Sequence, residues 1–253
     1  MPTDISFWII AIIAAVCVGA SKGGLPMVGL LAVPLLSMKM SPVMAAGMTL
    51  PIYIISDWYG LWMYRKNYSL RNIQIMVLAG ILGVAIGWAT ASITNDNLVK
   101  FFVGLIGLYY CADLFIKLRR NTSVGPKSAD VPRGVFWGTI AGFTSFVSHA
   151  GGAPFQMYVL PQKLEKMVYA GTSTITFAII NLVKLPPYWM LGQVNVSSVE
   201  MAAKLVPVAL FGAWGGYHLT RLLPEKLFYR IVEVALFILS IKLIYDALKD
   251  GLL

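Results

Sequence analysis

Charge is what this chain has least of. Only 12% of its 253 residues are charged, 11 are acidic and 2 are histidine. The two cysteines, Cys17 and Cys111, both lie in apolar segments, which excludes a disulfide framework and a thiolate metal site. They read as small buried hydrophobes. Gly19 to Gly24 lacks the Gly-x-x-x-x-Gly-Lys-Ser/Thr order, so no phosphate-cradling loop is present. Ser148 and His149 are neighbours in sequence, and on a helix their side chains diverge by about 100°, too far to serve as nucleophile and base. These absences predict a chain that is not an enzyme and that carries no metal and no cofactor.

What fills the sequence instead is apolar. Hydrophobic residues make up 58% of it and the mean hydropathy is +0.75, more than a soluble core absorbs. The fold class read from this is an all-α polytopic membrane protein. The net charge of +9 does not point to nucleic acid, because the basic residues sit in short clusters between apolar runs, as loops on the cytoplasmic side do. The first apolar run has Asp4 where a signal peptide has basic residues, and no small-x-small site precedes a polar sequence.

Six runs have the roughly 20 residues that cross a bilayer core: 42–64, 70–92, 98–118, 167–190, 199–219 and 226–248. Two regions do not fit. Residues 6–38 and 134–160 are too long for one helix and too short for two crossings, and each breaks at a Gly-Gly-x-Pro, at Gly23-Gly24-Leu25-Pro26 and Gly151-Gly152-Ala153-Pro154. Limbs of about 15 residues reach only ~22 Å, so each region reads as a re-entrant hairpin turning near the midplane. With two hairpins the loop cations divide 13 to 5 in favour of the cytoplasm, the bias such loops show; with two crossings they divide 11 to 7.

The domain organisation follows. A first repeat, 1–120, holds one hairpin and three helices; a linker, 121–132, is rich in small and polar residues; a second repeat, 133–253, holds the other hairpin and three helices. Each half turns the chain over, so the repeats are inverted, as in many secondary transporters. Ala45-Ala46-Gly47-Met48-Thr49 answers Tyr169-Ala170-Gly171-Thr172-Ser173, a register that sets Asp57 opposite Asn181.

Broken helices at membrane depth mark binding sites. The amides of Gly23, Gly24, Gly151 and Gly152 are expected at the positive ends of new half-helices, where they suit an anion. The hydroxyls of Ser21, Thr49, Ser148, Thr172 and Ser173 are available as further donors. Lys22 either pairs with Asp57 or supplies the full charge that a desolvated anion needs. His149 is satisfied by backbone or contributes a switchable proton. Asp57, Asn181 and Glu233 are candidates for coupling or countercharge, and Lys184, just before Pro186-Pro187, reads as an interfacial anchor.

The glycine-rich broken helix, the Ala-Gly-x-Thr/Ser helix after it, and their repetition beyond a basic linker resemble the sulfite exporter TauE/SafE family of bacterial membrane transporters. The most specific elements are Ala20-Ser21-Lys22-Gly23-Gly24 and Ser148-His149-Ala150-Gly151-Gly152. The resemblance implies a multi-pass protein of the bacterial inner membrane that exports sulfite, a sulfonate or a related small anion, using the membrane potential, a proton gradient or both. A passive anion channel and a carrier working in the uptake direction are the alternatives. The partners expected are the anion and the bilayer, not nucleic acid; a homodimer stays open.

Overall fold

The computed structural model describes residues 4–93, 96–119 and 125–249. Regular structure among them is helical: α1 (Ile5–Lys22), α2 (Pro26–Gly29), α3 (Ala32–Ser37), α4 (Pro42–Tyr64), α5 (Leu70–Ala89), α6 (Asp96–Arg119), α7 (Val131–Ser148), α8 (Gly152–Val159), a 3-10 turn (Leu160–Gln162), α9 (Lys166–Met190), α10 (Val196–Leu222) and α11 (Glu225–Lys249). The starts are written locally. The side chains of Asp4, Ser41 and Asp130 accept from amides three residues on, and Asn195 forms a capping box with Ser198. The expected linker is shorter than read, because α7 begins at Val131; its residues 121–124 lie outside the described residues.

Among the described residues four helices, α1, α5, α9 and α10, are long and apolar enough to cross a membrane. α4 has the length, 23 residues, but divides its character by face. Ile55, Trp58 and Trp62 are exposed, whereas Ser56 and Asp57 are buried. An apolar exterior around a polar interior is how lipid-exposed helices hide ionisable groups.

Both broken segments finish beside where they start. Asp4, which caps α1, forms an ion pair with Lys39, just beyond α3, and α2 and α3 pack along α1. The Tyr158 hydroxyl, at the far end of α8, donates to the carbonyl of Asp130, which caps α7. The limbs are longer than expected. α1 and α7 have 18 residues each, about 27 Å at 1.5 Å per residue, because the breaks lie late in each segment rather than at its middle.

The chain forms two compact units, Met1–Ile73 with Lys166–Leu223, and Gln74–Glu165 with Pro224–Leu253. These units are not the sequence halves, since each takes helices from both. In the first, α1 packs on α10, and α4 pairs with α9. Three contacts give that last pair its direction: Asp57 with Asn181, Asn67 with Gly171, and Gly47 with Gln193. As residue numbers rise on α4 they fall on α9, so the two helices run antiparallel. In the second unit α6 packs on α11, and α7 meets α5 where Gly142 lies against Gly80 and Gly83 against Thr139. The first limb of each broken segment thus packs on the second long helix of the opposite half.

Small residues permit this closeness. A Cβ on Gly19 would stand 1.8 Å from the Ala209 carbonyl oxygen. Gly19→Val should therefore lower stability by about 3 kcal/mol or more through overpacking of the α1–α10 contact. Gly215, also on α10, has open space around its Cβ position, so Gly215→Ala should raise stability by about 0.5–1 kcal/mol. Thermal unfolding of both variants in detergent checks the pair. Similar melting temperatures for the two would show that the contact is not close.

Candidate functional site

The site grows from the end of α1. Leu25 N–H donates to the Ala20 carbonyl at 3.2 Å and Gly24 N–H to that of Ser21 at 3.4 Å, and Gly24 has φ +108°. This is a helix ending closed by a left-handed glycine. Gly23 N–H also donates within α1, to Gly19 at 3.0 Å. The expectation that the Gly23 and Gly24 amides open a new half-helix is therefore corrected: they close the old one. α2, which follows, has four residues, too few for a helix-end charge. What α1 brings to this point is its carbonyl end, with Lys22 in its last turn as the complementary cation.

Those carbonyls are held by neighbouring helices. The Tyr64 hydroxyl on α4 donates to the Gly23 carbonyl at 2.7 Å, with Thr220 of α10 on the same oxygen at 3.2 Å. Thr174 on α9 donates to the Lys22 carbonyl at 3.2 Å, and Tyr53 on α4 to that of Gly29 at 2.8 Å. The spacing on α4 explains why one helix does so much. Tyr53, Asp57, Gly60 and Tyr64 recur at i, i+4, i+7 and i+11, one face of a helix.

At the centre of that face Lys22 meets Asp57. Nζ lies 2.8 Å from Oδ1, and both side chains are at most 5% exposed. The other carboxylate oxygen, Oδ2, accepts from Asn181 Nδ2 at 2.8 Å. Lys22 also sits 4.8 Å from the centre of the Tyr53 ring, within cation–π range. Lys184, three residues beyond Asn181 and so on the same face of α9, is 0% exposed and interacts electrostatically with both Lys22 and Asp57. The interfacial reading of Lys184 is overturned: α9 runs through Pro186 and Pro187 to Met190, which leaves Lys184 inside the helix.

The other expected residues divide by unit. Thr49, Thr172 and Ser173 are buried in the same unit as Lys22. The Ser21 hydroxyl donates to Val18, that of Thr49 to Ala45 and Ala46, and that of Thr172 to Val168. In apolar helices hydroxyl donors turn back to carbonyls three or four residues earlier, so these three are engaged rather than available. Ser56 on α4 and Thr176 on α9 behave differently, being fully buried with hydroxyls that meet no hydrogen-bond partner among the described residues.

Ser148, His149, Gly151, Gly152 and Glu233 belong to the second unit. There His149, with φ 54°, takes the left-handed position that ends α7, and Gly151 caps α8. The Ser148 hydroxyl turns back to the Thr144 carbonyl. Glu233 is half-buried on α11, within electrostatic reach of Cys111 and Arg230. Among the described residues no cluster of three or more His, Cys, Asp or Glu could hold a metal ion.

Tyr53, Tyr64, Thr174, Thr220 and Lys184 were not expected at the site. The i, i+4, i+7, i+11 stripe on α4 was the available signal for the two tyrosines. Thr174 and Thr220 carry no comparable mark in the sequence.

The family model described as "Sulfite exporter TauE/SafE" matches residues 10–243. No curated protein and no solved structure matches the chain.

The left-handed turn at His149 yields a test of what that residue does. Only glycine and a few polar residues hold φ near +54° without strain. His149→Gly and His149→Val both remove the imidazole, yet the valine variant should be the less stable by about 1–2 kcal/mol. Equal melting temperatures would place the whole role of His149 in its side chain.

Proposed function

The chain belongs to the sulfite exporter TauE/SafE family, a family of membrane transporters, and from that premise we propose that it is a secondary transporter exporting a small sulfur-containing or related organic anion across the bacterial inner membrane. The observation that carries this reading is the buried Lys22, fixed by Asp57 at a broken helix inside an apolar bundle. Ionisable pairs inside a membrane bundle are rare and mark substrate or ion pathways. Lys22 supplies the charge for the anion, Asn181 and Asp57 hold it in position, and the free hydroxyls of Ser56 and Thr176 are donors in the same helix pair.

The architecture proposed with it is two halves of opposite orientation, each a hairpin and three helices, with both termini outside. The antiparallel pairing of α4 with α9 supports this, because the two are the matching helices of the two halves. So does Asp57 bonding to Asn181, the residues that the internal repeat sets opposite each other. Export needs no nucleotide. An interior 100 mV negative contributes about 2.3 kcal/mol per monovalent anion, roughly a fiftyfold outward bias.

A thermal-shift screen of purified protein against sulfite, sulfate, thiosulfate, sulfonates and carboxylates tests the reading. A bound anion at about a hundred times its Kd should stabilise the fold by about 2.7 kcal/mol. Lys22→Met should weaken that anion by about 1.5–3 kcal/mol, the worth of a charge-assisted hydrogen bond. Lys22→Arg should keep part of the affinity with altered selectivity, because its fork is planar and larger. A protein that no anion stabilises, or a Lys22→Met variant that binds unchanged, contradicts the proposal.

A further inference from the structure

The α4–α9 pair is drawn together at two places. Gly47 lies against the Gln193 carbonyl near one end, and Asp57 meets Asn181 farther along. Between those contacts stand Pro51 on α4 and Pro186 on α9. A proline ring clashes with the carbonyl four residues back and bends its helix, and here a groove of about 580 Å³ opens beside both rings. Among the described residues its walls carry no polar atom. Ile54 and Ile55 line it from α4, Leu185 and Trp189 from α9, and Val199 from the start of α10. Ile55, Trp189 and Val199 are exposed, so the groove opens on the outside of the helix pair, the side that meets lipid in a membrane transporter.

A second recess, of about 90 Å³, lies at the helix ends. Val43 and Met44 in the first turn of α4 line it, with Gln193, Asn195 and Ser198 from the turn between α9 and α10. Met44, Pro51 and Ile55 fall at i, i+7 and i+11, one stripe of α4, so the two recesses lie end to end along that helix. From Met44 to Ile55 the stripe climbs about 16 Å, the depth of one leaflet in a hydrocarbon core of roughly 30 Å. The recess at the helix ends is polar, yet among the described residues no charged side chain lines it.

We propose that the two recesses form one phospholipid site, in which an acyl chain lies in the groove and a zwitterionic head of the phosphatidylethanolamine class rests on the amides and hydroxyl at the turn. A helix of a second copy, about 10–12 Å across, occupies roughly 1,500 Å³ over the same length. It cannot enter the groove, whereas a single hydrocarbon chain can. The uncharged lining decides the head, since pockets that select anionic lipids are basic. A chain seated there fills the space that the two prolines open between the helices carrying Asp57 and Asn181. The site does not depend on what the protein carries.

Native mass spectrometry of the full chain in detergent tests this, with phosphatidylethanolamine and phosphatidylglycerol of identical acyl chains as the probes. Wild-type protein should retain phosphatidylethanolamine and bind it at least as tightly as phosphatidylglycerol. Val199→Trp and Ile55→Trp, which put an indole where the chain lies, should each weaken phosphatidylethanolamine by about tenfold or more, the equivalent of two buried methylenes. Leu78→Trp, a change of similar bulk at an exposed site on α5, should leave its binding unchanged. Both groove positions are exposed, so the variants should melt near the wild-type temperature; if Ile55→Trp does not fold, Val199→Trp decides. Equal binding by wild type and Val199→Trp overturns the inference. So does retention of neither lipid, a preference of about tenfold or more for phosphatidylglycerol, or a wild-type dimer that Val199→Trp makes monomeric.

Discussion

The ion pair between Lys22 and Asp57 is the contact around which the first compact unit is arranged. It joins the last turn of α1 to the middle of α4 at 2.8 Å with almost no exposure. A lone charge there would be far costlier than the pair, since removing one partner strands the other out of water. The surroundings answer that constraint. Asn181 takes the second carboxylate oxygen, Tyr53 offers its ring to the ammonium, and Tyr64, Thr174 and Thr220 take the carbonyls that the broken helix leaves open. Each buried polar group here is a consequence of ending a helix inside an apolar bundle.

The way that the chain is divided makes this arrangement economical. α4 and α9 carry matching Ala-Gly segments, and in each the glycine lies against a carbonyl in the loop that follows the other helix: Gly47 on Gln193, Gly171 on Asn67. The same pairing puts Asp57 beside Asn181. In this pair one position is the charged residue and the other its amide partner.

Much of the fold was legible because apolar length is a strong signal. The long helices begin and end within three residues of the ranges read from hydropathy, and the first break falls at its Gly-Gly-x-Pro; the second comes earlier than expected, at His149 to Gly151, so that Gly152, Ala153 and Pro154 already belong to α8. The direction of the amides was not legible. Gly-Gly-x-Pro fits a helix ending, with glycine in the left-handed position, as well as it fits a helix start with proline in the first turn; at Gly24 the ending won because α2 is a single short turn. Lys184 was misplaced for a related reason. Pro186 and Pro187 look like a helix end, yet only one turn remains beyond Pro186, and few backbone bonds are lost when the helix continues to Met190. The hydroxyls of Ser21, Thr49 and Thr172 show the third limit, since residue type reveals a donor but not that it already serves its own helix.

An anion carried by way of the buried Lys22 has to bind before it crosses, and flux in proteoliposomes reads out that step. Vesicles containing the purified protein are loaded with sulfite, and efflux is followed while an imposed potential is varied. Efflux should saturate with internal sulfite, rise severalfold or more as the interior is made about 100 mV negative, and fall sharply in Lys22→Met. Efflux that grows in proportion to concentration without saturating, or that is the same in Lys22→Met as in the wild type, would contradict carriage by way of Lys22.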